Sequence, residues 1–441
     1  MNNYLQVKSH SRSDVFQSSQ TCSEYAAKMC SYMEYPRSQP YESTRFTGIR
    51  AVKGRLRRQK QTSRLEINLD NHYTTRVYNS GSTISGDFTV NPKHDTPIDE
   101  VRIMLVGRCR VRQEDVSNTS LNYHTFLTLD MPISSPNGMF LSNISHRIPF
   151  RFVVPHGLLP TACSHPVECE SAQSHHTRLP PTMGDWEKDD MAPDMARIKY
   201  EIVAQVNPHG AAAVEARKRV RILSSSQSLD TPKKSKTISK PKAIHKSAFS
   251  KASGHIIFRA SEATTIRLSP DAREATPSLV TVDVEFNPAS LDVSPPKIDS
   301  ATAKMHASTW YSGTPMANFP EQHSISKHYS TSCSMSVETT DDSSWTQQRD
   351  VSQRPEGETI TEPGCYTRTL QIALTPPTRD KTFLPTFHSC LISRTYKMAI
   401  SFKINREAVS VEIPVQVQAE AESYAQEEDD LPSFEEALHL V

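Results

Sequence analysis

Regular alternation of apolar and polar residues is the feature that most limits how this chain can fold. Every second residue is apolar across 198–206, and the same period of two recurs along 280–286, 392–404 and 409–417. This period places apolar side chains on one face of an extended strand, whereas helical periodicity is nearly absent from these segments. The pattern predicts half-buried β-strands. Pro414 on the polar face of the last segment predicts an edge strand, where a missing N–H costs little.

Shifts in composition divide the chain into segments that fold and segments that do not. Apolar residues make up 36% of the chain, against about 45–50% in soluble domains. We interpret this average as two strand-rich halves mixed with polar segments that cannot bury a core. The predicted fold class is all-β, with two consecutive antiparallel β-sandwich domains. The predicted segments are a disordered basic and Ser-rich N-terminus (1–62), a sandwich (63–225), a basic linker (226–252), a second sandwich (253–420) with a disordered insertion at about 321–364, and an acidic tail (421–441).

Charge is balanced in total but separated along the chain. There are 50 basic and 49 acidic side chains, yet residues 419–441 hold eight acids and no Lys or Arg. Basic side chains concentrate at 45–64 and 217–251, so near-neutrality does not exclude an electrostatic partner. Three interpretations stay open for these runs: solvated linkers, anionic lipid headgroups, or nucleic acid. The last is disfavoured because no recognition helix, finger or stacking platform accompanies them. The lipid-headgroup candidates are Arg55, Arg57, Arg58, Arg217, Lys218 and Arg219.

Several features predict a cytosolic protein. No apolar run approaches the ~18 residues of a membrane-spanning helix, and the first residues lack an apolar stretch of signal-peptide length. The eight cysteines are irregularly spaced in a long chain, unlike a disulfide framework. These observations predict a reducing compartment.

Motifs for catalysis or cofactor binding are missing from the sequence. It contains no G-x-S-x-G, H-E-x-x-H, phosphate-binding loop or dinucleotide fingerprint, so we expect neither an enzyme nor a cofactor. Metal-ligand chemistry clusters only at Cys163, His165, Cys169, His175 and His176. Five residues separate the two cysteines, more than structural zinc sites usually place between paired cysteines. We therefore predict an ordinary polar loop and no metal site.

An ordered series of short segments resembles one known family. The segment at 77–90, Val-Tyr-Asn-Ser-Gly-Ser-Thr-Ile-Ser-Gly-Asp-Phe-Thr-Val, is similar to the opening hairpin of arrestin-like proteins. Segments similar to later parts of that family follow in order at 101–107, 148–155, 158–165, 179–185, 196–202, 381–390 and 392–396. The series resembles fungal arrestin-like proteins (alpha-arrestins). The resemblance is good over residues 64–225 and looser over residues 253–418.

The resemblance implies an adaptor rather than an enzyme. Such a protein would bind cytosolic parts of plasma-membrane transporters or receptors and recruit a HECT-type ubiquitin ligase for ubiquitination and endocytosis. The family recruits its ligase through Pro-Pro-x-Tyr or Leu-Pro-x-Tyr motifs that dock in WW-domain grooves. This sequence has neither, and its nearest approach is Leu431, Pro432 and Phe434, where Phe replaces Tyr. The resemblance also implies ubiquitin attachment, for which the linker lysines are candidates: Lys233, Lys234, Lys240 and Lys242.

Alternatives stay open for the tail and for the function. Ser433 and Glu436 form a capping-box pattern, and Phe434, Ala437, Leu438 and Val441 share one helical face. A short acidic helix could therefore dock in a partner or on the basic linker, or the tail could be solvated. Alternative functions are a signalling scaffold, for example in ambient-pH sensing, and a nuclear DNA-binding factor that uses the basic runs.

Overall fold

The structure is a computed structural model that describes most of the chain from residue 63 onward. The described residues are 63–114, 119–131, 133, 138–224, 237–245, 250–260, 264–320, 326–340, 344–348, 364–405 and 407–421. Strands dominate them, which confirms the all-β prediction. No helix among these residues is long and apolar enough to cross a membrane.

The described residues of the first half form two sheets and one short helix. Its strands are β1 (Ser63–Leu69), β2 (Val77–Asn79), β3 (Thr83–Pro92), β4 (Thr96–Glu114), β5 (Thr119–Asp130), β6 (Gly138–Phe140), β7 (His146–Val153), β8 (Ala196–Pro208) and β9 (Val214–Leu223). A 3₁₀ turn (Pro160–Ala162) and helix α1 (Glu170–His176) precede β8. One sheet has the order β1-β3-β7 and the other β2-β9-β8-β4-β5, with β6 beside β4. All pairs are antiparallel except β2 with β9.

The two sheets of the first half share one core, which makes them a sandwich. Ile84 and Phe88 of β3 are fully buried in the same cluster as Ile103 of β4 and Tyr200 of β8. Phe126 of β5 meets the Tyr200 ring edge-on at 5.5 Å between centroids, a favoured aromatic geometry. The alternation of buried and less buried residues along β3 and β8 follows the predicted strand pattern.

The described residues of the second half form twelve strands in two layers. They are β10 (Thr237–Ile238), β11 (Lys242–His245), β12 (Ala252–Ala260), β13 (Thr264–Leu268), β14 (Ser278–Pro288), β15 (Ile298–Tyr311), β16 (Lys327–Thr340), β17 (Thr346–Gln348), β18 (Cys365–Thr375), β19 (Phe387–His388), β20 (Ile392–Ile404) and β21 (Glu407–Ala419). The main order is β10-β12-β14-β18-β16-β15-β20-β21-β13. β16 joins the layers, because its first part pairs with β15 and its last residues pair with β18. Phe258 of β12 stacks on Phe402 of β20 at 4.3 Å between ring centroids, so the layers enclose a second core.

Three expectations differ from the structure. The predicted disordered insertion at 321–364 is wrong for 327–340 and 346–348, which form β16 and β17. The segment is Ser- and Thr-rich, but Cys333, Met335 and Val337 of β16 alternate with serines and pack on the second core, and neighbouring strands supply backbone hydrogen bonds. The predicted linker at 226–252 similarly contains β10 and β11. Pro414 lies just before the stretch of β21 that pairs with β13. β21 is therefore an edge strand at Pro414 but is covered by β13 over 415–419.

The segment at 77–90 also differs from a hairpin. β2 pairs with β9 and β3 pairs with β1 and β7, so the two strands belong to different sheets. The turn between them includes Gly81 at φ 89°, a conformation that glycine adopts without steric cost. Its hydrogen bond from Ser82 N to the Asn79 carbonyl measures 2.9 Å. The glycine-containing turn therefore carries the chain from one layer of the sandwich to the other.

Candidate functional site: the joint between the halves

The loop that precedes β8 in the first half reaches into the second half. Thr182 anchors this loop, because its N–H donates to the Ile222 carbonyl at 2.8 Å and its hydroxyl accepts the Ile222 N–H at 2.9 Å. Farther along the loop, Met191 belongs to the second core. We call loop residues 182–195, together with the residues at 376–394 that they contact, the joint.

Arg394 is the central side chain of the joint. It lies on β20, on the same strand face as Ile392 and Tyr396, and it is completely buried. Its guanidinium donates to the carbonyls of Asp190 at 3.1 Å and Met191 at 3.2 Å. It also lies 5.8 Å from the centre of the Tyr396 ring. A buried guanidinium is costly unless it is paired and hydrogen-bonded, and here the loop of the other half supplies these acceptors.

Asp190 supplies the negative charge beside Arg394. Its carboxylate is 6% exposed and accepts the N–H groups of Gly184 at 2.6 Å and Ala192 at 3.2 Å. Burial raises the pKa of Asp190, while these hydrogen bonds and the charge of Arg394 oppose that rise. Met191 follows at φ 56°, a region that non-glycine residues rarely adopt. The contacts of Arg394 with two successive carbonyls hold this unusual turn.

An ion pair and two backbone contacts surround the buried centre. Lys381 donates to the Asp189 carboxylate at 2.5 Å, and Thr382 N–H donates to the Asp189 carbonyl at 3.0 Å. Lys188 donates to the Thr378 carbonyl at 2.8 Å. The hydrogen bond from Lys381 lowers the pKa of Asp189 and raises that of Lys381. The joint is therefore a buried polar centre with a charged rim.

We expect the Asp189→Asn substitution to cost about 0.2–1 kcal/mol of unfolding free energy at neutral pH, typical of an exposed ion pair. The lowered pKa of Asp189 supplies stability above its ordinary pKa of 3.8 that is lost as pH falls below it. The raised pKa of Lys381 supplies stability that is lost only as pH rises above 10.5. The difference from wild type should therefore be constant between these limits and shrink below pH 3.8, as measured by urea unfolding at pH 7 and pH 3.

Asp194→Asn is the matched control for this measurement. Its carboxylate pairs with Arg197 but is 83% exposed, so the variant should match wild type at both pH values. An Asp189→Asn difference that grows on acidification would contradict the assignment of the Asp189–Lys381 pair.

A second contact region lies near α1. Glu168 N–H donates to the Ala317 carbonyl at 2.8 Å, and Asn318 donates to the Glu168 carboxylate at 2.7 Å. Of the predicted polar-loop residues, Cys163, His165 and His176 come together with Cys390 of the second half. Burial lowers the pKa of His176 to about 4, so this imidazole is neutral at pH 7.

Cys169 and His175 lie outside this group. Cys169 is exposed and contacts the Asn318 side-chain oxygen at 3.9 Å. The His175 ring instead meets the rings of Phe319 and His388, each at 5.3 Å between centroids. The five residues with metal-ligand chemistry are close together in sequence, but the fold brings only three of them into the cluster with Cys390.

An open cleft of about 750 Å³ also lies between residues of both halves. Tyr73, Arg76 and Asn79 line it from the first half, and Asp271 and Arg273 from the second. Asn79 donates its side-chain amide to the Pro270 carbonyl at 3.0 Å, which ties the two walls together. Both signs of charge are present in the lining, so the cleft suits a polar chain rather than an apolar ligand.

The predicted lipid-binding residues of β9 are engaged within the fold. Arg217 contacts the carboxylates of Glu201 at 3.2 Å and Glu215 at 2.9 Å. Arg219 lies 3.4 Å from Asp185. Lys218 is half-buried and raises the local positive charge beside His72, whose pKa is lowered mainly by burial. Both arginines form ion pairs, but their side chains stay 37% and 59% exposed, so headgroup binding by them stays a prediction.

Other predicted residues are exposed or lie outside the described part of the chain. Lys240 and Lys242 are exposed, and Lys242 lies 3.3 Å from the Glu407 carboxylate. The residues outside the described part are Arg55, Arg57, Arg58, Lys233, Lys234, Leu431, Pro432 and Phe434. A second Leu-Pro-x-Phe sequence, at 384–387, is buried: Leu384 is 0% and Phe387 is 7% exposed. Burial makes that copy inaccessible to a partner.

Sequence reasoning missed the residues that form the joint. Arg394 interrupts the apolar face of a long strand, and this exception was the available signal. An arginine at such a position must either disrupt the strand or have buried acceptors. The sequence does not show that those acceptors are carbonyls some 200 residues earlier.

A comparison with known families identifies a relationship for the second half. Residues 300–420 match the family described as Bul1 C terminus, an arrestin-related C-terminal domain of adaptor type. That family is related to adaptors that bind ubiquitin ligases. No curated protein matches the chain. The matched range includes β16 to β21 and both second-half partners of the joint, Lys381 and Arg394, so the second half is similar to an arrestin-related adaptor domain.

Proposed function

We propose that this protein is an arrestin-like adaptor that links a membrane protein to a ubiquitin ligase. The cargo is a cytosolic part of a plasma-membrane transporter or receptor, and the ligase is of the HECT type with WW domains. The outcome is ubiquitination and endocytosis of the cargo. The observation that carries this proposal is the match of 300–420 to the Bul1 C terminus family, on a chain whose described part is nearly all β.

The joint gives the adaptor one continuous surface. Arg394 is fully buried in the loop of the other half, and the halves also share apolar contacts: Leu391 of the second half belongs to the first core, and Met191 of the first half to the second core. A cargo segment in the cleft would contact Arg76 of one half and Asp271 of the other together. Both signs of charge there suit the mixed charges of a cytosolic segment.

The tail supplies the second binding contact of the proposal. Leu431, Pro432 and Phe434 form a Leu-Pro-x-Phe motif, in which Phe fills the apolar slot of Tyr but cannot make its hydrogen bond. Two modest contacts in one chain raise the local concentration of ligase at cargo without new interface. A weak ligase motif is therefore sufficient when cargo is also bound.

We expect a pull-down of WW-domain ligases with full-length protein to show weak capture by wild type. Capture should be lost in Pro432→Ala, because WW grooves recognise proline between aromatic side chains. It should rise severalfold in Phe434→Tyr, because tyrosine restores one hydrogen bond worth about 1 kcal/mol. Bound ligase is measured by quantitative immunoblotting.

Ser433→Ala is the matched control, since position 433 is the variable one of the motif. It should capture ligase as wild type does. Loss of capture in this variant would favour the capped-helix interpretation of the tail, and equal capture by all four proteins would remove the motif from the mechanism.

A further inference from the structure

Four side chains with metal-ligand chemistry meet where the two halves touch near α1. Cys163 follows the 3₁₀ turn of Pro160–Ala162, His165 lies two residues later, and His176 ends α1. Cys390 comes from the turn between β19 and β20 of the second half. One donor atom from each residue lies within 4.8 Å of the other three. Cys390 is distant from the other three residues along the chain, so the four side chains meet only because the two halves pack together.

The distances from Cys163 to the two histidines fit a tetrahedral metal site. The Cys163 Sγ lies 3.4 Å from His165 Nε2 and 3.5 Å from His176 Nδ1. Zinc binds sulfur at about 2.3 Å and imidazole nitrogen at about 2.0–2.1 Å, so a tetrahedral site separates S and N by about 3.5 Å. Both observed S···N distances lie at this value. The imidazole rings of His165 and His176 are 5.2 Å apart between centroids, so both can approach one centre.

The surroundings orient these donor atoms. His165 Nδ1 lies 3.0 Å from the Pro166 carbonyl, which requires its N–H there and leaves the Nε2 lone pair directed toward Cys163. A carbonyl that accepts the second N–H of a histidine is the usual outer contact of a metal-bound imidazole. His124 Nε2 lies 3.1 Å from the Ala162 carbonyl and so holds the residue next to Cys163. On the other side, Met316 N–H donates to the Cys390 carbonyl at 2.8 Å.

Burial gives the site the character of a structural one. Cys163 is 6%, His176 3% and Cys390 3% exposed, and His165 is partly exposed, which leaves an entry path. Two thiolates and two imidazoles in a tetrahedron favour zinc over calcium or magnesium, which prefer oxygen ligands. Four protein ligands also leave no open position for a substrate.

We propose that Cys163, His165, His176 and Cys390 bind one zinc ion, which ties the loop around α1 in the first half to the β19–β20 turn in the second half. The site replaces the sequence expectation of an ordinary polar loop. It is independent of ligase or cargo binding, because none of its residues lies in the cleft or the tail.

The test is the metal content of the full-length protein, purified without chelator and measured by inductively coupled plasma mass spectrometry. We expect about one zinc per chain in wild type. In Cys390→Ser and in His176→Gln, the zinc affinity measured with a competing chelator should be more than about tenfold lower. This bound follows because changes even in outer contacts of zinc sites cost about 10–100-fold in affinity. Cys169→Ser is the matched control, since this exposed cysteine of the same loop lies outside the cluster, and it should keep its zinc.

Cobalt replacement tests the ligand set in wild-type protein, so the result does not depend on whether a variant folds. Wild-type protein stripped of metal and loaded with Co²⁺ should show the intense visible bands of a tetrahedral site and thiolate-to-cobalt charge transfer. Removal of metal should also increase hydrogen exchange at 160–176 and 388–391. Metal-free wild-type protein that takes up no Co²⁺, equal zinc loss in Cys169→Ser and Cys390→Ser, or a Cys163–Cys390 disulfide found by non-reducing mass spectrometry would each overturn the proposal.

Discussion

Replacing Arg394 with methionine is expected to lower the free energy of unfolding by about 3–5 kcal/mol, because two buried carbonyls lose their donor and a nearby buried carboxylate loses a neighbouring cation. Methionine fills part of the space but donates no hydrogen bond. The Asp190 carboxylate would then stay buried without its cation, and the carbonyls of Asp190 and Met191 would lose their donor. Asp190→Asn in the same protein should recover part of the loss, because it removes the uncompensated charge.

Urea unfolding and hydrogen exchange would measure this effect. Arg102→Met is the matched control, because Arg102 also lies on a strand and pairs with Asp130 at 2.8 Å, but its side chain is 43% exposed. Its substitution should cost no more than about 1 kcal/mol. Faster exchange in Arg394→Met should concentrate at residues 182–195. If both variants lost equal stability, the joint would not depend on Arg394.

The second large effect is expected at Gly86, where β3 passes very close to β1. A Cβ on Gly86 would lie 2.0 Å from the Asn68 carbonyl oxygen and 3.0 Å from the Leu69 Cα, both backbone atoms. Backbone atoms cannot rotate away as a side chain can, so β1 must separate from β3 at this point. We expect Gly86→Ala to cost about 3 kcal/mol or more, at the upper end of the cost of overpacking.

Gly157→Ala is the matched control for Gly86→Ala. The nearest atom to a Cβ at Gly157 is the Thr177 carbonyl oxygen at 3.4 Å, an ordinary contact. Thermal unfolding should therefore show a large fall in Tm for Gly86→Ala and almost none for Gly157→Ala. A wild-type Tm for Gly86→Ala would contradict the close pairing of Leu69 with Gly86.

The Arg394→Met variant also separates stability from the proposed function. Arg394→Met weakens the joint but leaves the tail sequence intact, so capture of ligase through Pro432 should persist in protein that remains folded. Cargo binding in the cleft should fall, because both halves line that cleft. Loss of ligase capture together with cargo binding would indicate that the ligase contacts the sandwiches themselves.

Several long strands could be predicted well from local sequence. The apolar alternation at 280–286 lies within β14, that at 392–404 coincides with β20, and that at 409–417 lies within β21. This works because a strand face needs only neighbours two residues apart, which a short window contains. β16 was missed because Ser and Thr fill many of its positions, although Cys333, Met335 and Val337 share one strand face that packs on the second core.

The sequence by itself thus determined the strand-rich class and the approximate positions of four long strands, β8, β14, β20 and β21. Only the tertiary structure decided which layers those strands join, that the Leu-Pro-x-Phe copy at 384–387 is buried, and that Arg394 and Cys390 meet partners from the first half. The physical reason is the range of the interactions. The alternation of apolar and polar residues reflects which side chains of a strand face the core and which face water, so a short segment of sequence is enough to show it. The acceptors of a buried arginine and the fourth ligand of a cysteine–histidine cluster lie about 200 residues away, where they are found only after the two halves pack together.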